Sequence, residues 1–276
     1  MLAMLSKLKR SAVVTVFGPC TVFLVAAGFN TPRADNSVDD VETIVRRWTE
    51  ANRADFAAAA HYGYVERIRT DDGTKTYRVT LLLGTPYRRL IEEDGRPLSS
   101  SDSQQQAQEL EDARRQRISE SPNDRARRLA DYERSREHAH RFIEELPQAF
   151  TYTVRSTDRV QAGTVYVLDA APRQGYDPPN VEGRVLTGMR GQFWIDTRTF
   201  QLVRGWARVL HPVSIEGFLA TVEPGTEFEV EQQPVAEGIW LPTHFAIHSR
   251  SAILHLFHRQ NSEDHTYFDY RRSPPS

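Results

Sequence analysis

The stretch Gly191-Gln-Phe-Trp-Ile-Asp-Thr-Arg-Thr-Phe-Gln-Leu-Val-Arg204 reads as strand, turn and strand. Phe193 and Ile195 lie opposite Trp194, and Asp196-Thr197 supplies the turn before the return strand Gln201–Leu210. Alternating apolar residues bounded by turn residues signal a strand on a packed sheet. The pattern repeats on both sides of this hairpin. Before it stand Thr151–Val154 and Thr164–Leu168; after it come Phe218–Val222, Glu227–Glu231, Trp240–His248, Ala252–His258 and Thr266–Tyr270. Pro224-Gly225 and Glu237-Gly238 mark further turns. Turn signals about every ten residues, without helices between them, predict one meandering antiparallel sheet rather than βαβ units.

The N-terminal part adds helix to this sheet. Ser37, Asp39 and Asp40 form a helix-start signal, and Val41, Ile44, Val45 and Trp48 recur at i, i+3, i+4 and i+7. Tyr62–Arg69, Asp71-Asp72-Gly73 and Lys75–Leu83 then read as a hairpin whose glycine takes positive φ. A third strand, Tyr87–Glu92, closes at Asp94-Gly95 and Pro97. From Ser101 to Leu146 the alphabet changes to Gln, Glu, Arg and Ala, with a break at Ser119–Asp124 around Pro122. This predicts a helical pair inserted between strands as a lid. Its first half has few apolar residues and reads as partly disordered; its second carries a narrow stripe of Leu129, Tyr132, Ala139, Phe142, Ile143 and Leu146. The fold class is therefore α+β, with one domain over residues 35–272, an insert at 101–146 and a loose tail at 273–276.

The first 34 residues carry an export signal. Lys7, Lys9 and Arg10 precede an uncharged run from Ser11 to Gly28, which ends in the small residues Ala26, Ala27 and Gly28. That order describes a secretory signal peptide cut near Ala27 or Gly28, with Ala34 as a second site. Two alternatives are an uncleaved inner-membrane anchor over residues 11–28 and lipidation at Cys20. Gly18 and Pro19 interrupt the run and weaken both. Localisation is accordingly periplasmic or secreted. Removing the leader leaves about 248 residues, enough for one large domain, and takes away the single cysteine. The mature chain then has no disulfide, thiolate zinc site or cysteine nucleophile, and relies on a buried core.

Charge excludes some partners. Losing three leader cations takes the formal charge from −2 to −5, too near balance to attract nucleic acid or anionic membranes at long range. The arginine-rich runs at Arg114, Arg115 and Arg117 and at Arg125, Arg127 and Arg128 are interleaved with Glu109, Glu111, Asp112, Asp131 and Glu133. Such mixing at helical spacing describes a solvated helix face.

Catalytic and metal motifs are weak. His244 and His248 stand at i and i+4, but on a strand this separates them by roughly 13 Å, too far for one ion. His255 and His258 face opposite sides of a strand. Glu137-His138-Ala139-His140 offers one Glu-x-x-His half-motif of a carboxylate-bridged bundle, without the second copy that chemistry needs. Serine-nucleophile, metalloprotease, P-loop and dinucleotide motifs are lacking, and Glu92-Glu93 and Glu144-Glu145 read as solvated ends of elements. We expect no catalytic residue, no metal and no cofactor: the protein is not an enzyme.

The hairpin quoted first, with its Trp-Ile-Asp…Thr…Leu-Val-Arg pattern, resembles a signature of the outer-membrane lipoprotein carrier (LolA/LppX/RseB-like) superfamily. Gly84–Ser99 resembles uncharacterised exported bacterial proteins associated with it, and the order of elements agrees. The resemblance implies a strongly curved, incomplete β-barrel with helices as a lid over an apolar concave face. It also implies binding of lipid or lipoprotein acyl chains without catalysis; the alternative it carries is an envelope sensor or scaffold that binds a partner protein through the charged insert. Several strands are apolar on both faces, which either packed helices or a cavity explains. The residues expected to line such a cavity are Tyr77, Val79, Leu81, Phe193, Ile195, Trp206, Phe228, Val230, Trp240, Leu254 and Leu256.

Overall fold

The computed structural model describes residues 40–180, 183–214, 221–253 and 257–273. The leader with Cys20 and residues 274–276 of the tail lie outside them, as do Leu254 and Leu256. Among the described residues no helix is long and apolar enough to cross a membrane.

The chain opens with helix α1 (Val41–Ala59), capped by Asp40, whose Oδ1 accepts the N–H groups of Glu42 and Thr43 at 2.7 and 3.1 Å. A carboxylate there satisfies N–H groups the first turn leaves open. Strands β1 (Tyr62–Thr70), β2 (Gly73–Leu82), β3 (Thr85–Glu93) and the short β4 (Arg96–Pro97) follow. Helices α2 (Ser100–Ile118) and α3 (Pro122–Ala149) make the insert, each started by a serine cap: Ser99 Oγ accepts from Asp102 N–H and Ser121 Oγ from Asp124 N–H. Then come β5 (Phe150–Val160), β6 (Gly163–Pro172), the one-turn α4 (Arg184–Thr187), β7 (Met189–Asp196) and β8 (Leu202–Val209). A two-stranded ribbon of β9 (Val213–Ser214) and β10 (Thr221–Val222) precedes β11 (Glu227–Ala236), β12 (Ile239–Ile253) and β13 (Phe257–Arg272).

Among the described residues eleven strands form one antiparallel sheet in the order β4-β3-β2-β1-β13-β12-β11-β8-β7-β6-β5. The last strand pairs with the first, Tyr62 opposite Arg272, while β4 and β5 remain free edges, so the curved sheet is not closed into a barrel. Register shifts interrupt several ladders, among them Gly63/Val65, Thr76/Tyr77, Trp194/Ile195 and Glu231/Gln232. Such bulges add a residue to one strand and bend it. The α+β class and the meander are as the sequence predicts. The Gly191–Arg204 hairpin is β7–β8: Asp196 Oδ1 accepts the N–H groups of Arg198 and Thr199, at 3.0 and 2.8 Å, and the Thr199 hydroxyl. That local network explains an aspartate and a threonine at these two places in the turn.

The concave face holds the core. Ile44 and Trp48 of α1, Leu146 and Ala149 at the end of α3, and Phe150, Tyr152, Leu168, Phe193 and Ile195 of the sheet are buried together. Trp48 sits 5.0 Å, ring centre to ring centre, from Phe193 and meets Tyr152 edge-on.

Three local expectations change. Residues 252–258 are not one strand: Ala252 and Ile253 end β12 while Phe257 and His258 open β13, paired Ala252 to His258 and Ile253 to Phe257. An apolar run without Gly or Pro hides the reversal. The first half of the insert is a continuous helix although it buries no side chain; Gln105–Glu109 and Gln108–Asp112 bonds lace its surface. Glu145 is not a solvated end but buried, accepting from Tyr176 Oη and the Asn180 amide, whereas Glu144 pairs with Arg53.

Candidate functional site

A cavity of about 140 Å³ lies between the helices and the concave face. Its origin is a local shortage of side-chain volume. In register, Gly191 faces Ala207, Phe193 faces Gly205, Gly205 faces Val230 and Ala207 faces Phe228. Two glycines and an alanine thus share the middle of two neighbouring strands, β7 and β8. Close approach requires glycine at 191, where a Cβ would come within 2.6 Å of the Trp206 carbonyl oxygen; one on Gly205 would lie 3.1 Å from Val230 Cγ1, which would have to give way. Larger groups frame the gap: Met189, Phe193 and Leu202 of β7 and β8, Phe228 and Val230 of β11, and Phe245 and Ile247 of β12. The roof consists of Trp48 and Asn52 from α1, Ile143 and Leu146 from α3, Phe150, and Val185 and Leu186 from α4.

Of the residues expected to line a cavity, four border this one: Phe193, Trp206, Phe228 and Val230. Trp206 pairs with Gln192 and Glu229 and alternates with Gly205 and Ala207, so it belongs to the other face and borders the cavity at the strand. Ile195 is fully buried in the core beside it. Trp240 closes a separate groove with Trp194, Gln201 and Gln232. Tyr77, Val79 and Leu81 lie on β2, away from the cavity; Val79 is buried and Tyr77 lies under the Arg88 guanidinium, 4.2 Å from it. Leu254 and Leu256 are outside the described residues. Apolarity on the second face has a local explanation at Trp194, which Arg204 covers at 5.3 Å.

Sequence reasoning expected helices as a lid, with Trp48, Ile143 and Leu146 on their apolar stripes, but missed the polar residues of α1. Asn52 and Asp55 continue the Ile44–Trp48 stripe of α1, and both are buried. Polar residues on a buried helix face were the available signal. Asp55 Oδ1 accepts the backbone N–H of Trp240 at 2.9 Å and the Gln201 amide at 3.4 Å, while Oδ2 has no partner among the described residues. Burial raises this carboxyl from its usual range to about 6, against the pull of those two donors. Trp48 Nε1 and the side-chain oxygens of Gln201 and Gln232 are likewise buried without partners.

A second polar group occupies the concave face where β1 meets β13. His265, only 2 % exposed, has Nδ1 at 2.9 Å from Glu66 Oε1 and Nε2 at 2.9 Å from Glu263 Oε1. Arg88 reaches the other Glu66 oxygen at 2.6 Å. Burial alone would raise the Glu66 carboxyl, but the His265 bond and the Arg88 charge outweigh it and hold it below the usual range. Both ring nitrogens of His265 are engaged, leaving neither free for a substrate. No group of three His, Cys, Asp or Glu that could hold a metal occurs among the described residues. His244 bonds Asp264 and His248 bonds Ser262. His140 stacks on Phe56, and burial lowers it from the usual imidazole range.

No protein-family model matches the chain, and no curated protein matches it significantly. Among solved structures, the chain is similar to a DUF1329 family protein from Desulfovibrio piger, with a TM-score of 0.34, 11 % identity and coverage of 85 % of this chain and 94 % of that one. It is also similar to a candidate outer membrane lipoprotein-sorting protein domain from Vibrio parahaemolyticus (TM-score 0.35, 9 % identity, 84 % and 94 % covered). A LolA superfamily protein from Nitrosomonas europaea gives a TM-score of 0.33 at 10 % identity, with 85 % and 94 % covered.

Proposed function

We propose that this chain is an exported binding protein that holds an apolar ligand, of the kind supplied by lipid or lipoprotein acyl chains, in the concave-face cavity, and that it catalyses no reaction. The observation that carries this reading is the composition of the cavity wall: four phenylalanines, a methionine and aliphatic residues from five strands and three helices, with Asn52 and Gln232 as the uncharged polar members. Transfer of an alkyl chain from water into such a wall contributes about 0.8 kcal/mol per methylene, so affinity needs no charged contact. At about 140 Å³ the cavity compares with apolar cavities of ~150 Å³ that take up benzene and stay dry. It accommodates a few methylenes as it stands. A whole acyl chain requires α1, α4 or the end of α3 to move outward.

The test is uptake of a neutral apolar fluorophore, N-phenyl-1-naphthylamine, by the purified protein, together with native mass spectrometry and lipid extraction. Saturable uptake, or co-purifying acyl lipid, supports the reading. A clean unliganded mass with no uptake removes it and leaves the partner-binding alternative through the charged insert.

A further inference from the structure

The three pieces of the cavity roof are not held equally. Helix α1 buries Ile44, Val45, Trp48, Asn52 and Asp55 and is bonded to the sheet through Trp240. The end of α3 runs straight from Ala149 into Phe150, the first residue of β5. Neither can lift without uncovering the core. The third piece, α4, is a single turn, Arg184–Thr187, that places Val185 and Leu186 over the cavity and has no side-chain cap. It lies in the connection between β6 and β7, with a glycine at each end, Gly183 and Gly188. Glu145 of α3 fastens it. This carboxylate, 8 % exposed, accepts Tyr176 Oη at 3.0 Å and the Asn180 amide, and Asn180 Oδ1 in turn accepts the Gly183 N–H at 2.7 Å. Gly183 packs so closely that a Cβ there would run into Glu145 Oε2. A buried carboxylate left without donors carries its desolvation cost, so these bonds favour the seated position of α4.

We infer that α4 is the gate of the cavity and that Glu145, by holding Tyr176 and Asn180, sets the length of apolar chain the protein takes up. Closed, the cavity of about 140 Å³ admits a small apolar molecule or a few methylenes. A longer chain enters only where Val185 and Leu186 swing out on Gly183 and Gly188. Apparent affinity for the longer ligand is then its intrinsic affinity reduced by the fraction of molecules with the gate open, and a short ligand escapes that reduction. This rests on the cavity reading above and adds which element admits the ligand.

The experiment compares the wild type with Asn180→Ala and Tyr176→Phe, each of which removes one donor to Glu145. Two probes are titrated: benzene, of a size to fit the closed cavity, and cis-parinaric acid, a long fluorescent fatty acid. Each variant should bind cis-parinaric acid at least about tenfold more tightly, the share of one hydrogen bond to a charged group, and benzene within about twofold of wild type. Amide exchange at Leu186 and Gly188, whose N–H groups close the α4 turn, should quicken by a similar factor, while that of Trp240, held by α1, stays as in the wild type. Tyr176→Phe loses only a hydroxyl and decides should Asn180→Ala not fold. Benzene bound, with cis-parinaric acid unbound or unchanged across the three proteins, overturns the gate while the cavity reading stands. Tighter cis-parinaric acid binding with faster exchange at Trp240 moves the opening to α1 and overturns it as well. Uptake of neither probe by any of the proteins overturns both readings.

Discussion

The Asp55 carboxylate, on the last turns of α1, accepts the backbone N–H of Trp240 at the start of β12, at 2.9 Å and 185 residues away in the chain. It is one of the bonds that fix the helix against the middle of the sheet, and it does so with a group whose second oxygen is buried and has no partner among the described residues. The helix is thus held by an acid that is poorly housed when ionised.

Stability should therefore fall as pH rises through this group. In the unfolded chain the carboxyl titrates at about 3.8, in the fold at about 6, so between these values the native state binds more protons and loses stability with rising pH. Above about pH 6 the full penalty is present. Asp55→Asn keeps an oxygen for Trp240 N–H and removes the charge; we expect it to be more stable than wild type at pH 7.5, on the order of 1–3 kcal/mol, and near equal below pH 4. Urea unfolding at both pH values measures this, and an unchanged gap between variant and wild type across that range would count against it.

Glu66 has the opposite sign. Its folded value lies below the ordinary 4.5, so its contribution is complete above about pH 4.5 and is lost as pH falls through the lower folded value. Glu66→Gln leaves His265 and Arg88 without their shared anion. At pH 7 it should lower the unfolding free energy by about 3–5 kcal/mol, the range for breaking one side of a buried pair, with the deficit shrinking toward pH 3. Equal stability of the two proteins at pH 7 would contradict this.

The insert is tied down by arginine at the β2–β3 turn. Arg117 donates to the carbonyls of Leu82, Thr85 and Pro86, and Arg128, paired with Glu120, donates to Leu83 O and Thr85 Oγ1. Because α2 buries no side chain, these bonds and Gln106 on Leu90 N–H hold it in place. Arg117→Ala should expose residues 100–121 to protease and to hydrogen exchange, while the melting midpoint falls by less than about 4 °C, the shift of one kcal/mol at this size. Unchanged exchange in α2 would show that the clamp is dispensable.

Filling the cavity should separate binding from folding. Ala207→Leu extends a side chain toward the space left by Gly191. The expected result is an apolar-probe affinity reduced at least about tenfold, with unfolding free energy within about 1.5 kcal/mol of wild type, since added volume enters a void and not a packed site. A variant that unfolds less readily but binds the probe as well as wild type would place the ligand elsewhere.

The sequence by itself determined the periodic elements: the α1 stripe of Ile44, Val45 and Trp48, the hairpins turning at Gly73, Gly95 and Asp196, and the helical pair broken at Pro122. These rest on local rules, of period, cap and turn, that a few consecutive residues express. It also marked Phe193, Phe228 and Val230 as inward residues, because alternation assigns a face. What only the tertiary structure decided was which inward residues border empty space. Ile195 and Phe193 stand two apart on one strand, yet one is sealed in the core and the other borders the cavity; the difference is that Gly205 lies opposite Phe193, and Leu202 opposite Ile195. The Asp55–Trp240 and Glu66–His265 pairs escaped the sequence for the same reason. Each joins residues more than 180 positions apart, and strand order, not local pattern, brings such groups within hydrogen-bonding reach.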